Sequence, residues 1–439
     1  MSRQRKIQLS LSIGNFGYHP ACWRLPEVPS DGAMNFGALL SLARLAEEAF
    51  VDFIFLADVA AIRNFTDPRV LREREQQSAR LEPYTLLAGL AANTGRIGLV
   101  GTASTTFQDP WTLARRLAAL DAISGGRAGW NMVTSTHVNE AQNYGLDRPL
   151  DSDARHARAH EFAAVLKGLL RARPDGNFTH HGTHFRVDGG LDAPPTPQPV
   201  VPIATAGASG NAQELAAAHA DIVYSSQSDL DAARRYAAAV RARLAAHGRA
   251  PGGIRIFQGI LSLVGGTRQE ARDKYERLRA LLSPEVGLGL LISNGFPDLR
   301  GYPLDEPVPD LSDVPEAVSG SKALLVRDLS DFARRENLTL RQLSQIIFGG
   351  GLWQTPVIGT AADIADEMEE WFTTGAADGF NIQSAWQPGC TVDFVSRVMP
   401  ELRRRGLLAE GYGPGTLRER LGLETPGAAP ARERAALHA

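Results

Sequence analysis

The chain has 439 residues, a formal net charge of −3 and two cysteines, Cys22 and Cys390. This charge balance argues against a nucleic-acid partner, and two widely spaced cysteines predict a reduced, cytoplasmic protein rather than a disulfide framework. No apolar run approaches the roughly 18 residues that a membrane helix needs, so no membrane partner is expected. The length suits two small domains or one barrel with insertions.

Strand and helix patterns alternate along most of the chain. Four strands are predicted in the first third, at 7–13, 52–56, 97–100 and 128–133. The helices between them are predicted at 36–50, 83–92 and 113–123. Four later strands are predicted at 200–204, 221–224, 254–264 and 379–384, with helices between and after them. Eight such units predict the α/β class and a (β/α)8 TIM barrel.

The chain is longer than the about 250 residues that such a barrel needs. The surplus predicts insertions after strands 2, 4 and 7, at about 59–80, 136–195 and 284–356. Insertions at strand carboxyl ends cover the top of a barrel and build a pocket. Residues 1–424 would then form a single domain, and the Ala/Pro/Arg-rich residues 425–439 a flexible tail.

The stretch DAISGGRAGWNMVTS, residues 121–135, combines a helix end, a glycine turn, a buried strand and a polar strand end. Gly125 and Gly126 suit the tight turn because they lack a Cβ. In parallel β/α folds the chemistry lies at the carboxyl ends of strands, which makes Asn131 a candidate site residue. A buried amide with all its hydrogen bonds satisfied explains Asn131 equally well.

Other strand ends also carry polar groups. His19 lies in an aromatic loop after strand 1, Asp58 directly follows strand 2, and Ser104 belongs to a hydroxyl-rich run after strand 3. Ser209 lies in a small turn that enters a helix, where free N–H groups and the helix dipole favour an anion. A surface-loop histidine, a turn-capping aspartate and an ordinary strand–helix turn are the alternative explanations.

Two groups of histidines raise the question of a metal. His156 and His160 are spaced i, i+4 on a predicted helix, and His180, His181 and His184 lie in THHGTHF. No acidic residue at a matching spacing supports a metal site, and none is predicted.

Residues 102–135, TASTTFQDPWTLARRLAALDAISGGRAGWNMVTS, resemble the signature of the bacterial luciferase-like flavin monooxygenases. Within that family the chain is similar to the branch with nitrilotriacetate monooxygenase component A, pristinamycin IIA synthase, dibenzothiophene-sulfone monooxygenase and the long-chain alkane monooxygenase. Further motifs resemble the family in order: GYHPACWRLP at 17–26, FIFLAD at 53–58, HGTHFRVDGGL at 181–191 and ATAGASGNA at 204–212.

The resemblance implies reduced FMN (FMNH2) at the carboxyl face of the barrel, supplied by a separate NAD(P)H:FMN reductase. Molecular oxygen, the co-substrate, would add at flavin C4a, and the resulting (hydro)peroxide would oxygenate a small organic molecule. Family members oxidise amines, sulfur compounds, alkanes and cyclic imines. A homodimer or higher homo-oligomer is also implied.

The resemblance assigns roles to the candidate residues. Asp58 and Ser104 match positions near the isoalloxazine and ribityl, and Asn131 lies where the ring edge could be hydrogen-bonded. Ser209 matches the phosphate site. His19 matches a histidine near the reactive face of the flavin, so His19 and Asn131 are the catalytic candidates.

Some positions depart from the family pattern. Ser152 and His156 stand where the family often has histidine and then tyrosine, the tyrosine meeting the phosphate. Both are predicted to bind the cofactor, with His156 replacing the tyrosine as a donor. No histidine occurs between His247 and His438, although some relatives carry one before the motif that ends at Thr360.

Two alternatives remain open at this stage: a relative that transfers hydride with the deazaflavin F420, and a flavin-binding barrel without oxygenase activity. The sequence does not identify the substrate. Phe16, Phe55, Phe107 and Trp353 would line an apolar pocket or belong to the barrel core.

Overall fold

The computed structural model describes residues 5–15, 17–61, 80–172, 177–193, 196–227, 229–309, 311, 321–346 and 356–424. Four predicted features lie wholly or mostly outside the described residues: Phe16, Trp353, the insertion at 59–80 and the tail at 425–439.

The strands of the described residues are β1 (Gln8–Ser12), β2 (Phe53–Leu56), β3 (Gly98–Ser104), β4 (Ala128–Val133), β5 (Thr179–His181), β6 (Arg186–Asp188), β7 (Ile203–Ala206), β8 (Ile222–Ser225), β9 (Arg255–Val264), β10 (Val357–Gly359) and β11 (Gly379–Ser384). Eight of them form a closed parallel barrel in the order β1–β2–β3–β4–β7–β8–β9–β11, with β11 pairing back to β1. The predicted (β/α)8 barrel is therefore confirmed. A separate hairpin is formed by β5 and β6, and β10 pairs with the end of β9.

The α-helices of the described residues are α1 (Phe36–Glu48), α2 (Pro83–Asn93), α3 (Pro110–Ser124), α4 (Val138–Asn143), α5 (Ser152–Arg171), α6 (Gly210–His219), α7 (Leu230–Arg243), α8 (Arg268–Ala280), α9 (Pro284–Ser293), α10 (Ser321–Arg335), α11 (Leu340–Ile346), α12 (Ala361–Thr373), α13 (Gly389–Asp393), α14 (Met399–Arg404) and α15 (Leu417–Arg420). Short 3-10 turns occur at Cys22–Arg24 and Leu244–His247. Within these described ranges, no helix is both long and apolar enough to cross a membrane.

The glycine turn before β4 forms as its sequence predicts. Gly125 caps α3 with φ +67°, Gly126 follows at φ +88°, and β4 begins two residues later at Ala128. Both angles lie in the left-handed region, where a Cβ is unfavourable. The turn leads directly into β4, the fourth strand of the barrel, which contains Asn131.

Two predicted elements differ from the structure. Strand 3 was expected to end at Val100, but β3 continues to Ser104 because its pairing with β4 extends to Val133. The hydroxyl-bearing residues Thr102 and Ser104 are therefore part of the strand. The helix predicted at 392–405 is interrupted by a π-helical turn at Phe394–Val398.

The amino-terminal end of the barrel is closed by apolar side chains. Phe53, Val100 and Phe257 pack there with Leu417 of α15. The packing is tight, since a Cβ on Gly98 would lie 2.6 Å from Leu417 Cδ1. Because these apolar side chains fill the amino-terminal end, a polar pocket can form only at the carboxyl end of the strands.

Candidate functional site

A hydrogen-bonded chain crosses β4, β3 and β2 inside the barrel. Asn131 is 4% exposed, and its Nδ2 donates to Thr102 Oγ1 at 2.9 Å. Thr102 Oγ1 donates in turn to the carbonyl of Leu56 at 2.7 Å. The other amide atom, Asn131 Oδ1, is buried without a partner. The explanation of Asn131 as an amide with all its hydrogen bonds made therefore holds for Nδ2 but is wrong for Oδ1. This buried acceptor is available to a hydrogen-bond donor of a ligand.

A pair of hydroxyls marks the ends of β3 and β4. Ser135 Oγ donates to Ser104 Oγ at 2.8 Å, and Ser104 Oγ also accepts from the backbone N–H of Thr106 at 3.2 Å. Ser135 has φ +47°, a left-handed conformation that costs an L-residue roughly 1–2 kcal/mol. Such strain clusters at functional sites, but the sequence gives no sign of it at this position.

A buried acid, Glu140, lies beside Asp58 and was missed by sequence reasoning. Glu140 is 3% exposed and its Oε1 accepts from the backbone N–H of Ala60 at 3.3 Å. Asn143 Nδ2 donates to the carbonyl of Ala60 at 3.0 Å, so α4 holds both backbone groups of that residue. Burial raises the pKa of Asp58, opposed by the charge of Arg80. Burial, and to a smaller extent the charge of Asp58, also raises the pKa of Glu140.

His19 is fully buried, so the surface-loop explanation is wrong. Its backbone N–H donates to the carbonyl of Ala385 at 3.1 Å, and its Nδ1 accepts from the backbone N–H of Ala21 at 3.2 Å. The proton of the neutral ring must then lie on Nε2, which is buried without a partner. Burial, with a smaller effect from the charge of Arg279, lowers the His19 pKa to about 3. His19 therefore presents a neutral donor.

The segment after β9 covers the loop that carries His19. Ala21 packs into the same apolar cluster as Leu282 and Leu291 of that segment. Two hydrogen bonds of 3.2 Å join Arg277 of α8 to Glu27. The loop is thereby shielded from solvent on the side of α8 and α9.

The turn that enters α6 has the geometry expected of an anion site. Ser209 is exposed and caps the helix, its Oγ accepting from the N–H of Ala212 at 3.2 Å. Asn211 Nδ2 donates to Asp153 Oδ1 at 2.7 Å, which brings the amino termini of α5 and α6 together. The N–H groups of a first helical turn have no partner within the helix, so both termini favour an anion.

Ser152 and His156 occupy the first turns of α5. Ser152 is exposed, while His156 is buried and its Nδ1 lies 2.6 Å from the carbonyl oxygen of Ser152. A carbonyl only accepts, so Nδ1 carries the proton and Nε2 of the neutral ring is an acceptor. His156 can donate to an anion only when its ring is protonated, which limits it as a replacement for tyrosine.

The histidines do not assemble a metal site. His160 Nδ1 lies 3.1 Å from His219 Nε2, whereas His180 Nε2 bonds Glu161 Oε1 at 3.0 Å, so the members of the two groups have different partners. Over the ranges that the structure covers, no three His, Cys, Asp or Glu side chains come together as metal ligands.

Four predicted site residues belong to four neighbouring strands of the barrel and lie toward the carboxyl ends of these strands. Ser104 and Asn131 are part of β3 and β4, while Asp58 and Ser209 follow β2 and β7. His19 approaches the same end from β1. The unpartnered atoms, the acceptor Asn131 Oδ1 and the donor His19 Nε2, suit a planar heterocycle that has both kinds of group. Phe55 belongs to the barrel core, whereas Phe107 stacks on Tyr144 at 4.7 Å.

Comparisons with known proteins agree with this arrangement. The profile of the luciferase-like monooxygenases matches residues 18–378. N-acetyl-S-(2-succino)cysteine monooxygenase of Bacillus subtilis (strain 168) is 37% identical over 444 residues, covering 97% of this chain and 98% of its own. Nitrilotriacetate monooxygenase component A of Aminobacter aminovorans is 37% identical over 450 residues, with coverages of 97% and 98%.

A solved structure extends the comparison to a bound cofactor. A riboflavin lyase crystallised with modified FMN and its substrate riboflavin matches with a TM-score of 0.81 and 28% identity. The match covers 96% of this chain and 97% of that one.

Proposed function

Since the chain belongs to the luciferase-like monooxygenase family of flavin-dependent, two-component enzymes, we propose that it oxygenates a small organic substrate with FMNH2 and O2. The FMNH2 would come from a separate NAD(P)H:FMN reductase. Reduced flavin supplies two electrons, so that one atom of O2 enters the substrate and the other leaves as water. The protein must hold the flavin, exclude water and present a donor where oxygen reacts.

The observation that carries this proposal is the pair of buried, unpartnered atoms at one end of the barrel, Asn131 Oδ1 and His19 Nε2. Isoalloxazine has N–H donors and carbonyl acceptors along one edge. A buried acceptor without a partner favours a ligand that can donate a hydrogen bond to it, because buried polar groups are normally hydrogen-bonded. Asn131 would hold an N–H of the ring edge. Asp58 and Ser104 would bind the ring or the ribityl chain.

The phosphate of FMN would lie between the amino termini of α5 and α6. Ser209 and the N–H groups of its turn supply neutral donors, and Ser152 adds an exposed hydroxyl. His156 would contribute a charged donor when its ring is protonated. The Asp153 carboxylate, which could repel the phosphate, accepts a hydrogen bond from Asn211.

His19 would act as the donor at the oxygen-reacting face. Because its ring is neutral and its proton lies on Nε2, it can stabilise developing negative charge on oxygen without first losing a proton to solvent. The apolar cluster around Ala21 keeps water away from this loop, as oxygen activation on a flavin requires.

The substrate is proposed only as a class: an amine, a sulfur compound, an alkane or a cyclic imine. The two relatives described above are named for a sulfur-containing amino acid derivative and for nitrilotriacetate. We also propose a cytoplasmic homodimer or higher homo-oligomer.

The test supplies purified protein with NADH, FMN, a flavin reductase and ¹⁸O2, and screens a panel from these four classes by mass spectrometry. One ¹⁸O atom should enter the product of a true substrate, and product should fall to background without the reductase. Product that contains only oxygen from water would contradict the proposal. His19→Asn, which keeps an acceptor for the Ala21 N–H, should lose most product while still binding FMN.

A further inference from the structure

Gln383 is the only residue of β11 that is not fully buried. Side chains alternate along a strand, so Gln383 points to the same side as Asn381, two residues earlier. Asn381 lies inside the barrel, where its Oδ1 accepts a hydrogen bond from Ser10 Oγ of β1 at 3.0 Å. Gln383 is therefore directed into the barrel near the carboxyl end of its last strand, where its exposed part faces the pocket.

The side-chain amide of Gln383 makes no hydrogen bond to any of the residues that the structure describes. A glutamine amide offers two donors and one acceptor, all of which are then open to a ligand. Gln387, in the loop after β11, differs: it is 1% exposed, and its Nε2 donates to the carbonyl of Ser12 at 3.0 Å. Gln387 therefore joins β11 to β1, whereas Gln383 has no such structural partner.

The loop that carries His19 runs beside the end of β11. The backbone N–H of Tyr18 donates to the carbonyl of Ser384 at 2.9 Å. The N–H of His19 donates to the carbonyl of Ala385 at 3.1 Å. These bonds extend the parallel pairing of β1 with β11, so Gln383 directly precedes the residues that hold His19.

The proposed flavin-binding residues lie on the other side of the barrel. Asp58, Ser104, Asn131 and Ser209, which follow or lie in β2, β3, β4 and β7, form the candidate flavin pocket. In the closed order of eight strands, β11 is opposite β4. This arrangement leaves the wall formed by β11 and β1, beside His19, to the substrate.

We propose that Gln383 determines the substrate class, because its amide hydrogen-bonds a nitrogen-containing group of the substrate next to the atom that is oxygenated. This inference rests on the proposed function. An alkane would enclose the amide without offering it any partner, and a buried polar group without a partner is unfavourable. A thioether sulfur is only a weak acceptor. Amines and cyclic imines are therefore preferred over sulfur compounds, and alkanes are the poorest substrates.

Gln383→Leu tests this preference, since leucine removes the amide and keeps an apolar side chain of similar size. The panel includes two sets of compounds that share a skeleton. One set is dipropylamine, dipropyl sulfide and heptane, and the other is pyrrolidine, 1-pyrroline, tetrahydrothiophene and cyclopentane. With FMN, NADH, the reductase and ¹⁸O2, kcat and KM are measured for these compounds and for every other panel member that gives ¹⁸O product.

In the wild type, kcat/KM should be highest for the nitrogen compounds and lowest for the alkanes. In Gln383→Leu it should fall about three- to tenfold for the nitrogen compounds, the range expected for loss of one hydrogen bond, mainly through a higher KM. For the alkanes it should rise.

Two further variants separate recognition from structure. Gln269→Leu is the matched control, because Gln269 is exposed on α8, and it should follow the wild type. Gln383→Leu should keep the wild-type free energy of unfolding and the dissociation constant for FMN, since the amide has no partner to lose. Gln387→Leu, by contrast, should lower the stability, because it loses the bond to the Ser12 carbonyl.

An unchanged kcat/KM for the nitrogen compounds in Gln383→Leu would overturn this inference and leave the proposed function standing. An alkane as the best wild-type substrate would also overturn it. Weaker FMN binding by Gln383→Leu would assign Gln383 to the cofactor instead. Absence of ¹⁸O product from every compound of the panel would contradict the proposed function itself.

Discussion

Asn131 Nδ2 donates to Thr102 Oγ1 at 2.9 Å, which leaves Asn131 Oδ1 buried and unpartnered inside the barrel. The amide cannot turn over freely, because Thr102 Oγ1 already donates its proton to the carbonyl of Leu56 and offers only lone pairs. The direction of the Asn131 amide is therefore fixed by a residue on the neighbouring strand. Thr102 therefore determines which atom of the Asn131 amide is available to a ligand in the candidate flavin pocket.

Thr102→Val should lower both stability and flavin affinity. Valine has nearly the same shape, but it leaves Asn131 Nδ2 without a partner and removes one hydrogen bond from the Leu56 carbonyl, at a cost of about 1–3 kcal/mol. Freed from Thr102, the amide can reorient and lose its acceptor position, so FMN affinity should fall about tenfold. Thr102→Ser keeps the hydroxyl and should preserve both properties. Urea unfolding and fluorescence titration provide the measurements, and equal behaviour of the two variants would contradict the assignment.

His19 should make the protein less stable in acid. Its folded pKa of about 3 lies below the ordinary value of 6.5. Between these values the unfolded chain binds a proton that the folded chain does not, so the free energy of unfolding falls as the pH decreases. The slope is up to about 1.4 kcal/mol per pH unit for one proton. His19→Asn should show a shallower loss of stability between pH 6.5 and 4.5 in urea unfolding. Parallel curves for the two proteins would show that His19 titrates normally.

Ser209 should contribute to phosphate binding as well as to helix stability. Ser209→Ala removes the cap on Ala212, worth about 1 kcal/mol, and one candidate phosphate donor. Affinity for FMN should fall severalfold while affinity for riboflavin, which lacks the phosphate, stays the same. Thr416→Ala is a matched control, since it removes a cap from α15 at the opposite end of the barrel. If FMN and riboflavin weaken equally in Ser209→Ala, the turn does not bind the phosphate.

Arg418 should hold the amino-terminal end of the barrel together. It is 2% exposed, and its guanidinium binds both carboxylate oxygens of Asp221 at 2.7 and 3.0 Å. Arg418→Met removes the cation that hydrogen-bonds both carboxylate oxygens of the buried Asp221, which should cost about 3–5 kcal/mol of unfolding free energy. Adding Asp221→Asn should recover part of this loss. Thermal unfolding of the single and double variants measures the coupling, and additive effects would contradict it.

The fold was largely predictable because its signals are local. The glycine turn at Gly125 and the apolar run from Ala128 fix β4 from a few adjacent residues, and repeated units of this kind define the barrel. The boundary of β3 was missed because strand length depends on the neighbour: pairing with β4 carries the strand through Thr102 to Ser104.

The site was only partly predictable because it depends on contacts between distant segments. Glu140 is buried by its bond to Ala60, 80 residues earlier, and a single buried acid on a six-residue helix has no periodic signal. His19 is buried by contacts with Ala385 and with the segment after β9. Its chemistry therefore follows from tertiary packing that no stretch of sequence displays.

The central claim is that this barrel binds reduced FMN for oxygenation. Anaerobic titration of the protein with FMNH2, FMN and F420, followed by mixing with oxygenated buffer, tests it most directly. We predict that FMNH2 binds more tightly than FMN, that F420 does not bind, and that the bound FMNH2 is oxidised by O2 through a spectroscopically distinct transient. Tight binding of F420, or no binding of either form of FMN, would contradict the account.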